Sequence, residues 1–441
     1  MLLLQIGKLG RMIYLKINIR SFLTKFIASL ILIMPIIRYY NFWGTNIGLE
    51  AVLKSFVLIL LILLLLMRNR RIFYDPSIQK SGTYFFLFAL YATIVTCIYQ
   101  SYSLYYESRS VNFTIAFIVS LLVIFLLLYA KIDYSCIFKV YSFFVWLMVA
   151  ICIFQWILLI NGVRVPFNLP GFNYTSSWEQ LTSQIFGMNE YPTALFSEKA
   201  HFCEYLIPYV AFCLFSEEFV KNYRILKAVI ISLLTIMSTS GNGVVLAFLC
   251  WGLYFTFFNE FDFRNRMLLF IIGVMVIGIS FYALTQIDTI NTVLSMLFTN
   301  NTYGYSKANY RVYRGFDIYS LLPTTQKLFG VGYYNMETFA SINNIVSQYD
   351  TQWNIYEYFS AFTQILIYFG ALGFIFIVGH IIPLFKNQSN LTKGLVILLI
   401  AISLSSEILL QGFHMMFLIL ILSSIQNNSL NRRYDDANRL V

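Results

Sequence analysis

The most constraining feature of the sequence is a series of long apolar runs separated by mostly short polar segments. A helix needs about 20 mostly apolar residues to cross the roughly 30 Å hydrocarbon layer of a membrane. Runs of this kind recur along the whole chain, which indicates a polytopic all-α membrane protein. We predict twelve membrane helices, at 22–40, 49–67, 83–100, 112–130, 138–160, 202–217, 225–238, 243–258, 267–285, 357–379, 394–410 and 412–426.

Composition excludes the water-soluble classes. Hydrophobic residues make up 59% of the 441 residues and charged residues only 11%, whereas a soluble domain is about one quarter charged. The net charge of +10 would suggest nucleic-acid binding in a soluble protein. Here we attribute it to lysines and arginines at the cytoplasmic ends of helices, and we expect no nucleic-acid partner. The six cysteines lie in or beside apolar runs, so we interpret them as small core residues.

The distribution of basic residues predicts the orientation of the chain. With the N-terminus in the cytoplasm, the cytoplasmic segments hold 21 of the 30 lysines and arginines, the outer segments hold 8, and Lys54 lies inside a helix. Both termini are therefore predicted to be cytoplasmic, within a single integral membrane domain at 1–441. Two long polar loops, 161–200 and 287–356, are predicted on the outer face. The cytoplasmic loops carry no ATP-binding motif, so we expect the chemistry outside.

Titratable side chains cluster where the first outer loop enters the sixth predicted helix. Glu198 and His201 are three residues apart and would share a helical face if Ser197 caps the helix. Glutamate and histidine at such a position are candidate general bases. Alternatively, they are interfacial polar residues at a helix start, where a carboxylate suits the helix dipole.

Four further ionisable residues lie inside predicted helices, where each costs roughly 2–4 kcal/mol if it faces lipid. Glu204 is close enough to the outer face to join the Glu198 cluster. Glu407 and His414 flank the turn between the last two predicted helices, where they could pair with each other. Lys54 is in the outer half of its helix, from which its ammonium could snorkel to the interface.

The second outer loop carries basic residues among tyrosines. Arg311 and Arg314 share a face if the segment 308–322 is helical, and two guanidiniums on one face are suited to gripping phosphate or pyrophosphate. Lys307 and Tyr313 belong to the same segment, and tyrosine rings can stack on sugars. Alternatively, this is a solvated basic loop with interfacial tyrosines. No cluster in the chain has metal-ligand spacing, so we expect no metal site.

Four segments, in order along the chain, resemble motifs of the Wzy-type polysaccharide repeat-unit polymerases, which are relatives of the O-antigen ligases. Phe196-Ser-Glu-Lys-Ala-His-Phe202 resembles their F-S-E-P-S-H-F signature, and Ser238-Thr-Ser-Gly-Asn-Gly243 resembles their Ser/Gly-rich turn. Arg311-Val-Tyr-Arg-Gly315 resembles the arginine element of their large outer loop. Leu328-Phe-Gly-Val-Gly-Tyr333 resembles their L-x-G-x-G segment. The resemblance covers 191–335 and the overall topology.

One spacing agrees with the family and two positions depart from it. Arg314 and Gly330 have the R-x15-G spacing described for this group. Lys199 and Ala200 stand where the family often has Pro-Ser, and Tyr191 stands where it often has arginine. If that arginine binds substrate phosphate, Lys199 could replace it, or Arg164 could reach in.

The resemblance implies a GT-C-like enzyme of the bacterial cytoplasmic membrane. Such an enzyme transfers a growing glycan from undecaprenyl pyrophosphate to the sugar of a new lipid-linked repeat unit at the outer face. Glu198 or His201 would then be the base, with Arg314 and Arg311 holding the pyrophosphate. Further substrate contacts are expected from Lys307, Tyr313, Gly330 and Gly332. No cofactor or metal is implied, and a chain-length-regulating co-polymerase and a flippase are the expected protein partners.

Two other functions stay open at this point. An O-antigen-type ligase would share the fold and the lipid-linked donor but would use a lipid-core acceptor. A lipid-linked oligosaccharide flippase or another transporter would not be an enzyme. Transporters of that kind usually show an internal repeat, and we find none in the sequence.

Overall fold

The computed structural model describes residues 2–6, 13–17, 19–41, 48–67, 75–103, 109–129, 136–161, 173–174, 192–196, 198–216, 219–220, 222–238, 240–256, 307–347 and 359–439. These residues are mostly helical. The helices are α1 Ile19–Ile33, α2 Leu49–Leu66, α3 Pro76–Ser103, α4 Arg109–Tyr129, α5 Ile137–Ile160, α6 Lys199–Phe215, α7 Arg224–Met237, α8 Gly241–Thr256, α9 Lys307–Leu321, α10 Thr324–Phe329, α11 Met336–Asn343, α12 Ala361–Phe385, α13 Asn390–Ser405 and α14 Gly412–Arg439.

The prediction of an all-α protein is confirmed apart from two short pairs of antiparallel strands. Strand β1 (Leu2–Ile6) pairs with β2 (Ile13–Ile17), and β3 (Tyr40–Asn41) pairs with β4 (Asn173–Tyr174). The second pair ties the connection after α1 to a residue pair in the first predicted outer loop.

Eleven of the twelve predicted membrane helices coincide with helices of the structure, and the run at 267–285 lies outside the described residues. By length and hydropathy, four helices within the described ranges can cross a membrane: Leu49–Leu66, Pro76–Tyr99, Ile137–Leu158 and Ala361–Phe385. Ser21–Ile33, Thr114–Tyr129, Gly241–Phe255 and Asn390–Ser405 are apolar but shorter. The structure therefore supports a membrane protein, whereas the number twelve stays a prediction.

Helices α6 and α14 form the centre of the bundle. All residues from His201 to Leu214, and all residues from Gly412 to Ile425, are buried, and a helix that is apolar on every side belongs in a protein interior. Helix α6 packs against α5, α7, α8 and α13, while α14 packs against α1, α5 and α13. The residues at the start of each central helix are therefore enclosed by several other elements.

The peripheral helices turn apolar side chains outward. More than half of the surface is exposed for several of these side chains: Ile59 and Leu66 of α2, Leu90 and Ile98 of α3, and Phe154 of α5. Exposed apolar surface on this scale is typical of a face covered by lipid. Of the six cysteines, all free thiols, four are buried as predicted, but Cys136 is half-buried and Cys97 is exposed.

Two helices end earlier than their apolar runs predict, and both corrections matter for the site. Helix α1 ends at Ile33 rather than near residue 40, because Pro35 has no backbone N–H to continue the helical ladder. Helix α13 ends at Ser405 rather than near residue 410. The Ser406 carbonyl there accepts a hydrogen bond from the Ala361 N–H of α12 at 2.9 Å. As a result, Arg38 and Glu407 lie in turns and not in helices.

The connection between α10 and α11 lies against a break in α12. The N–H groups of Val331 and Gly332 donate to the carbonyls of Ile367 and Tyr368 at 3.1 and 2.8 Å. Gly370, at φ 62°, interrupts the helical backbone of α12 at this place. The L-x-G-x-G segment thereby fixes the position of α9 to α11 at one end of the bundle.

Candidate functional site

Four connections meet at one end of the bundle, which we term the polar end. They are the turn 34–41 after α1, Glu198 before α6, the start of α8, and the turn 406–411 between α13 and α14. Direct contacts join them: Arg38 reaches both His201 and Glu407, and Asn242 reaches Ser406. The predicted topology places this end on the outer face of the membrane.

Glu198 and His201 are adjacent at the start of α6, as their spacing predicts. His201 Nδ1 lies 3.7 Å from a carboxylate oxygen of Glu198. Ser197, the cap considered from the sequence, lies outside the described residues, and Glu198 itself occupies the N-cap position with extended backbone angles. A carboxylate there also faces the positive end of the helix dipole. The Glu198 side chain is 25% exposed while that of His201 is only 4% exposed, so Glu198 is the more accessible of the two.

Arg38 is the residue of this cluster that the sequence did not single out as a candidate. Its Nη1 donates to His201 Nε2 at 3.0 Å and to the Glu407 carbonyl oxygen at 3.3 Å. Its Nη2 lies 4.0 Å from the Glu407 carboxylate. Burial alone would lower the pKa of the Arg38 guanidinium, but Tyr39 and three nearby carboxylates raise it overall. Arg38 is therefore a fixed positive charge between acidic groups.

The contact with Arg38 determines which nitrogen of His201 accepts a hydrogen bond. A guanidinium has five N–H donors and no acceptor, so Nε2 must present its lone pair to Arg38. The ring proton then resides on Nδ1, the nitrogen that faces Glu198. The imidazole is also held in place by Phe413 of α14, whose ring stacks on it at 5.3 Å, and by Tyr39 at 5.5 Å.

Glu407 and His414 do not pair with each other, contrary to the sequence prediction. Glu407 faces Arg38, and its other carboxylate oxygen accepts a hydrogen bond from the Tyr334 hydroxyl at 3.4 Å. His414 Nδ1 instead accepts a hydrogen bond from the Leu410 N–H at 3.4 Å. The irregular turn 406–411 leaves backbone groups that need partners, and His414 satisfies one of them.

Lys54 has two partners that are distant from one another in sequence. Its ammonium lies 2.8 Å from the Glu50 carboxylate and donates to the Leu410 carbonyl at 3.0 Å. Glu50 in turn accepts a hydrogen bond from the Gly412 N–H at 2.8 Å. This ion pair at the start of α2 therefore anchors the turn that carries Glu407.

A second polar network lies behind the first and involves Glu204. Its carboxylate is fully buried and accepts a hydrogen bond from the Ser406 hydroxyl. Asn242, in the Ser/Gly-rich segment, donates to the same hydroxyl at 3.1 Å. Glu204 thus contacts the residue directly before Glu407 and is linked to the cluster through the turn 406–411.

Arg314 is the largest fully buried side chain in the described part of the protein. Its guanidinium carbon lies 5.2 Å from the centre of the Phe359 ring, within the range of a cation–π contact. Phe359 precedes Ala361, whose N–H bonds to Ser406. The backbone therefore connects the immediate surroundings of Arg314 to the network around Glu204.

The helix predicted at 308–322 is confirmed as α9, Lys307–Leu321. Its backbone places Arg311 one helical turn before Arg314. Tyr313, between them, is 56% exposed. Lys199 is half-buried as the first residue of α6. The side chains of Arg311 and Lys307, and the whole of Arg164, lie outside the described residues, and their substrate contacts stay predictions.

Gly330 and Gly332 have positive φ angles of 81° and 80°. A Cβ atom at Gly330 would collide with the backbone of Tyr368, and one at Gly332 would lie 2.7 Å from the Asn335 side chain. Both glycines thus permit a close approach of backbones in the L-x-G-x-G segment. Their contact with a substrate stays a prediction.

The polar end can support acid–base chemistry beside a positively charged arginine side chain. It combines a partly exposed carboxylate, a histidine of fixed tautomer and the partly buried guanidinium of Arg38. Within the described ranges, no group of three or more His, Cys, Asp or Glu residues could hold a metal ion.

No protein-family model matches the chain, and no curated protein sequence matches it.

Proposed function

We propose that the protein is a glycosyltransferase of the bacterial cytoplasmic membrane that polymerises undecaprenyl-pyrophosphate-linked oligosaccharide repeat units into surface polysaccharide. In this proposal twelve membrane helices form a GT-C-like arrangement, with both termini in the cytoplasm and the polar end outside. The observation that carries it is the contact among Glu198, His201 and Arg38 at the start of α6. These contacts involve the glutamate and the histidine of the F-S-E-x-x-H-F segment.

Glu198 is the proposed general base. It accepts the proton of the acceptor hydroxyl as that oxygen forms a bond to the anomeric carbon of the donor sugar. His201 is less suited to this role, because Arg38 occupies its Nε2 lone pair and its Nδ1 carries a proton. The same Nδ1–H points towards Glu198 at 3.7 Å. His201 and Arg38 therefore hold the carboxylate in position.

The arginines of α9 are the proposed binding site for the leaving group. When the bond between the anomeric carbon and the pyrophosphate oxygen breaks, the electron pair departs with the lipid pyrophosphate. Arg314, together with Arg311 one turn before it, would neutralise that charge by paired hydrogen bonds. Because guanidiniums can supply this stabilisation, the proposed reaction requires no metal. Lys199 and Arg164 remain the candidates for a further phosphate contact.

The first test is the surface polysaccharide of a strain that lacks the gene, run on a gel beside that of the parent. Loss of the ladder, with single repeat units still attached to their acceptor, supports the polymerase. Long polymer that accumulates on its lipid carrier would show a ligase instead. Repeat units trapped inside the cell, with no surface glycan, would show a flippase.

The second test restores the gene with Arg314→Ala. We expect no polymer, while single repeat units persist, because the departing pyrophosphate has lost a buried cation. Membrane levels of the variant must match those of the wild type. A normal ladder from this variant would refute the proposed role of Arg314.

A further inference from the structure

A groove of about 610 Å³ lies between the end of α12 and the first turns of α13, far from the polar end. Its walls are apolar and its rim, at the connection between the two helices, is basic. The apolar part includes Ile382, Phe385, Ile397 and Ile400, and the rim includes Lys386 and Lys393. Such a groove offers an apolar surface and a positively charged surface, which are the two surfaces that an anionic amphiphile requires.

Two side-chain hydrogen bonds hold the rim of the groove against its neighbours. Gln388 Nε2 donates to the Ser77 hydroxyl of α3 at 2.9 Å, which ties the connection to the neighbouring helix. The Ser389 hydroxyl accepts a hydrogen bond from the Thr392 N–H at 3.3 Å and so caps α13. The capping group of α13 is therefore already used within the protein, and the charge available to a ligand is that of the two lysines.

The two lysines form no ion pair with any carboxylate that the structure describes. Within the described ranges, neither ammonium lies within 4.0 Å of a carboxylate, unlike Lys54, which is paired with Glu50. Lys386 is exposed and Lys393 is half-buried, so both can reach the mouth of the groove. Two cations beside an apolar groove are complementary to one negative charge on an apolar molecule.

We infer that this groove binds an anionic phospholipid, with the phosphate on Lys386 and Lys393 and an acyl chain along α13. The seven helical steps from Lys393 to Ile400 rise by roughly 10 Å along the helix. That is about a third of the roughly 30 Å hydrocarbon layer. The groove thus accommodates the part of an acyl chain next to the headgroup, and the remainder extends into the bilayer.

The charges set the expected selectivity. Each lysine near an anionic headgroup raises the binding constant of that lipid by about fivefold. The two lysines together therefore give a preference of about 30-fold over a zwitterionic lipid. This binding is independent of glycosyl transfer, because the groove shares no residue with the polar end.

The test is native mass spectrometry of the full-length protein, purified in detergent and supplied with phosphatidylglycerol or phosphatidylcholine. We expect the wild type to retain phosphatidylglycerol about 30-fold better than phosphatidylcholine. A double variant, Lys386→Gln with Lys393→Gln, should lose most of that preference. The matched control is Lys80→Gln, which removes an exposed lysine of α3 outside the groove and should bind as the wild type does.

A second variant tests the apolar part without touching the lysines. Ile397→Trp fills the groove, so we expect it to lower phosphatidylglycerol retention at unchanged thermal stability. Three results would overturn the inference: the double variant retains the wild-type preference, the tryptophan variant binds as well as the wild type, or polyprenyl phosphate displaces phosphatidylglycerol at equal concentration.

Discussion

Replacing the two titratable residues at the start of α6 by glutamine distinguishes the base from the residue that positions it. Glu198→Gln keeps the shape of the side chain but cannot accept a proton. We expect the rate to fall by about 10²–10⁴, which is the usual contribution of a general base. The loss should appear in kcat, because the amide can still occupy the same space beside His201.

His201→Gln should cost much less if the hydrogen-bonding argument is correct. The glutamine amide oxygen can accept the Arg38 hydrogen bond, and its NH₂ can donate towards Glu198, so both polar contacts can be reproduced. What is lost is the stacking of the imidazole on Phe413, which is worth about 0.5–1.5 kcal/mol. We therefore expect a fall in rate of roughly 10-fold or less.

The assay measures the initial rate of polymer formation from lipid-linked repeat units by purified protein in lipid vesicles. Glu337→Gln is the matched control, since Glu337 is an exposed carboxylate on α11, and its rate should equal that of the wild type. The reasoning is refuted if His201→Gln loses as much activity as Glu198→Gln, or if Glu198→Gln retains normal activity while it is folded.

Two further predictions concern stability, measured by thermal unfolding of the purified protein in detergent. Gly330→Ala should destabilise the protein by about 1–3 kcal/mol, because its φ of 81° and the nearby Tyr368 backbone both exclude a methyl group. Gly252→Ala in α8 is the control and should be neutral or slightly stabilising, because the space around Gly252 is open. Equal melting temperatures of the two variants would contradict the prediction. Arg38→Met should cost about 1–3 kcal/mol by leaving the partly buried Glu407 carboxylate and the His201 lone pair without a donor, and adding Glu407→Gln should recover about 1 kcal/mol. Strictly additive losses would show that the two side chains do not interact.

The order and approximate position of the helices could be predicted because hydropathy is a local property. A run of apolar residues has to be helical in lipid, since every backbone N–H and C=O must then be bonded within the segment. The residue at which a helix ends depends less on the local sequence. Pro35 ends α1 by itself, but α13 ends where the Ala361 N–H binds the Ser406 carbonyl, and no pattern near Ser406 indicates that contact.

Some contacts of the candidate site can likewise be predicted from local sequence, and others cannot. Helical periodicity alone places Glu198 beside His201, and the structure confirms this contact. Arg38, by contrast, is separated from His201 by 163 residues along the chain. From the sequence alone it is one of the eight basic residues of the predicted outer segments. Nothing in its neighbouring residues indicates that it bonds to an imidazole.

The sequence by itself thus determined that the chain is a helical membrane protein and which turn of α6 brings Glu198 and His201 together. The tertiary structure decided which groups face them: Arg38 on His201, Tyr334 on Glu407, and Ser406 on Glu204. The physical reason is that burial of a charge in a low-dielectric interior requires a partner. In this bundle those partners come from helix ends that are distant in sequence and adjacent only after folding.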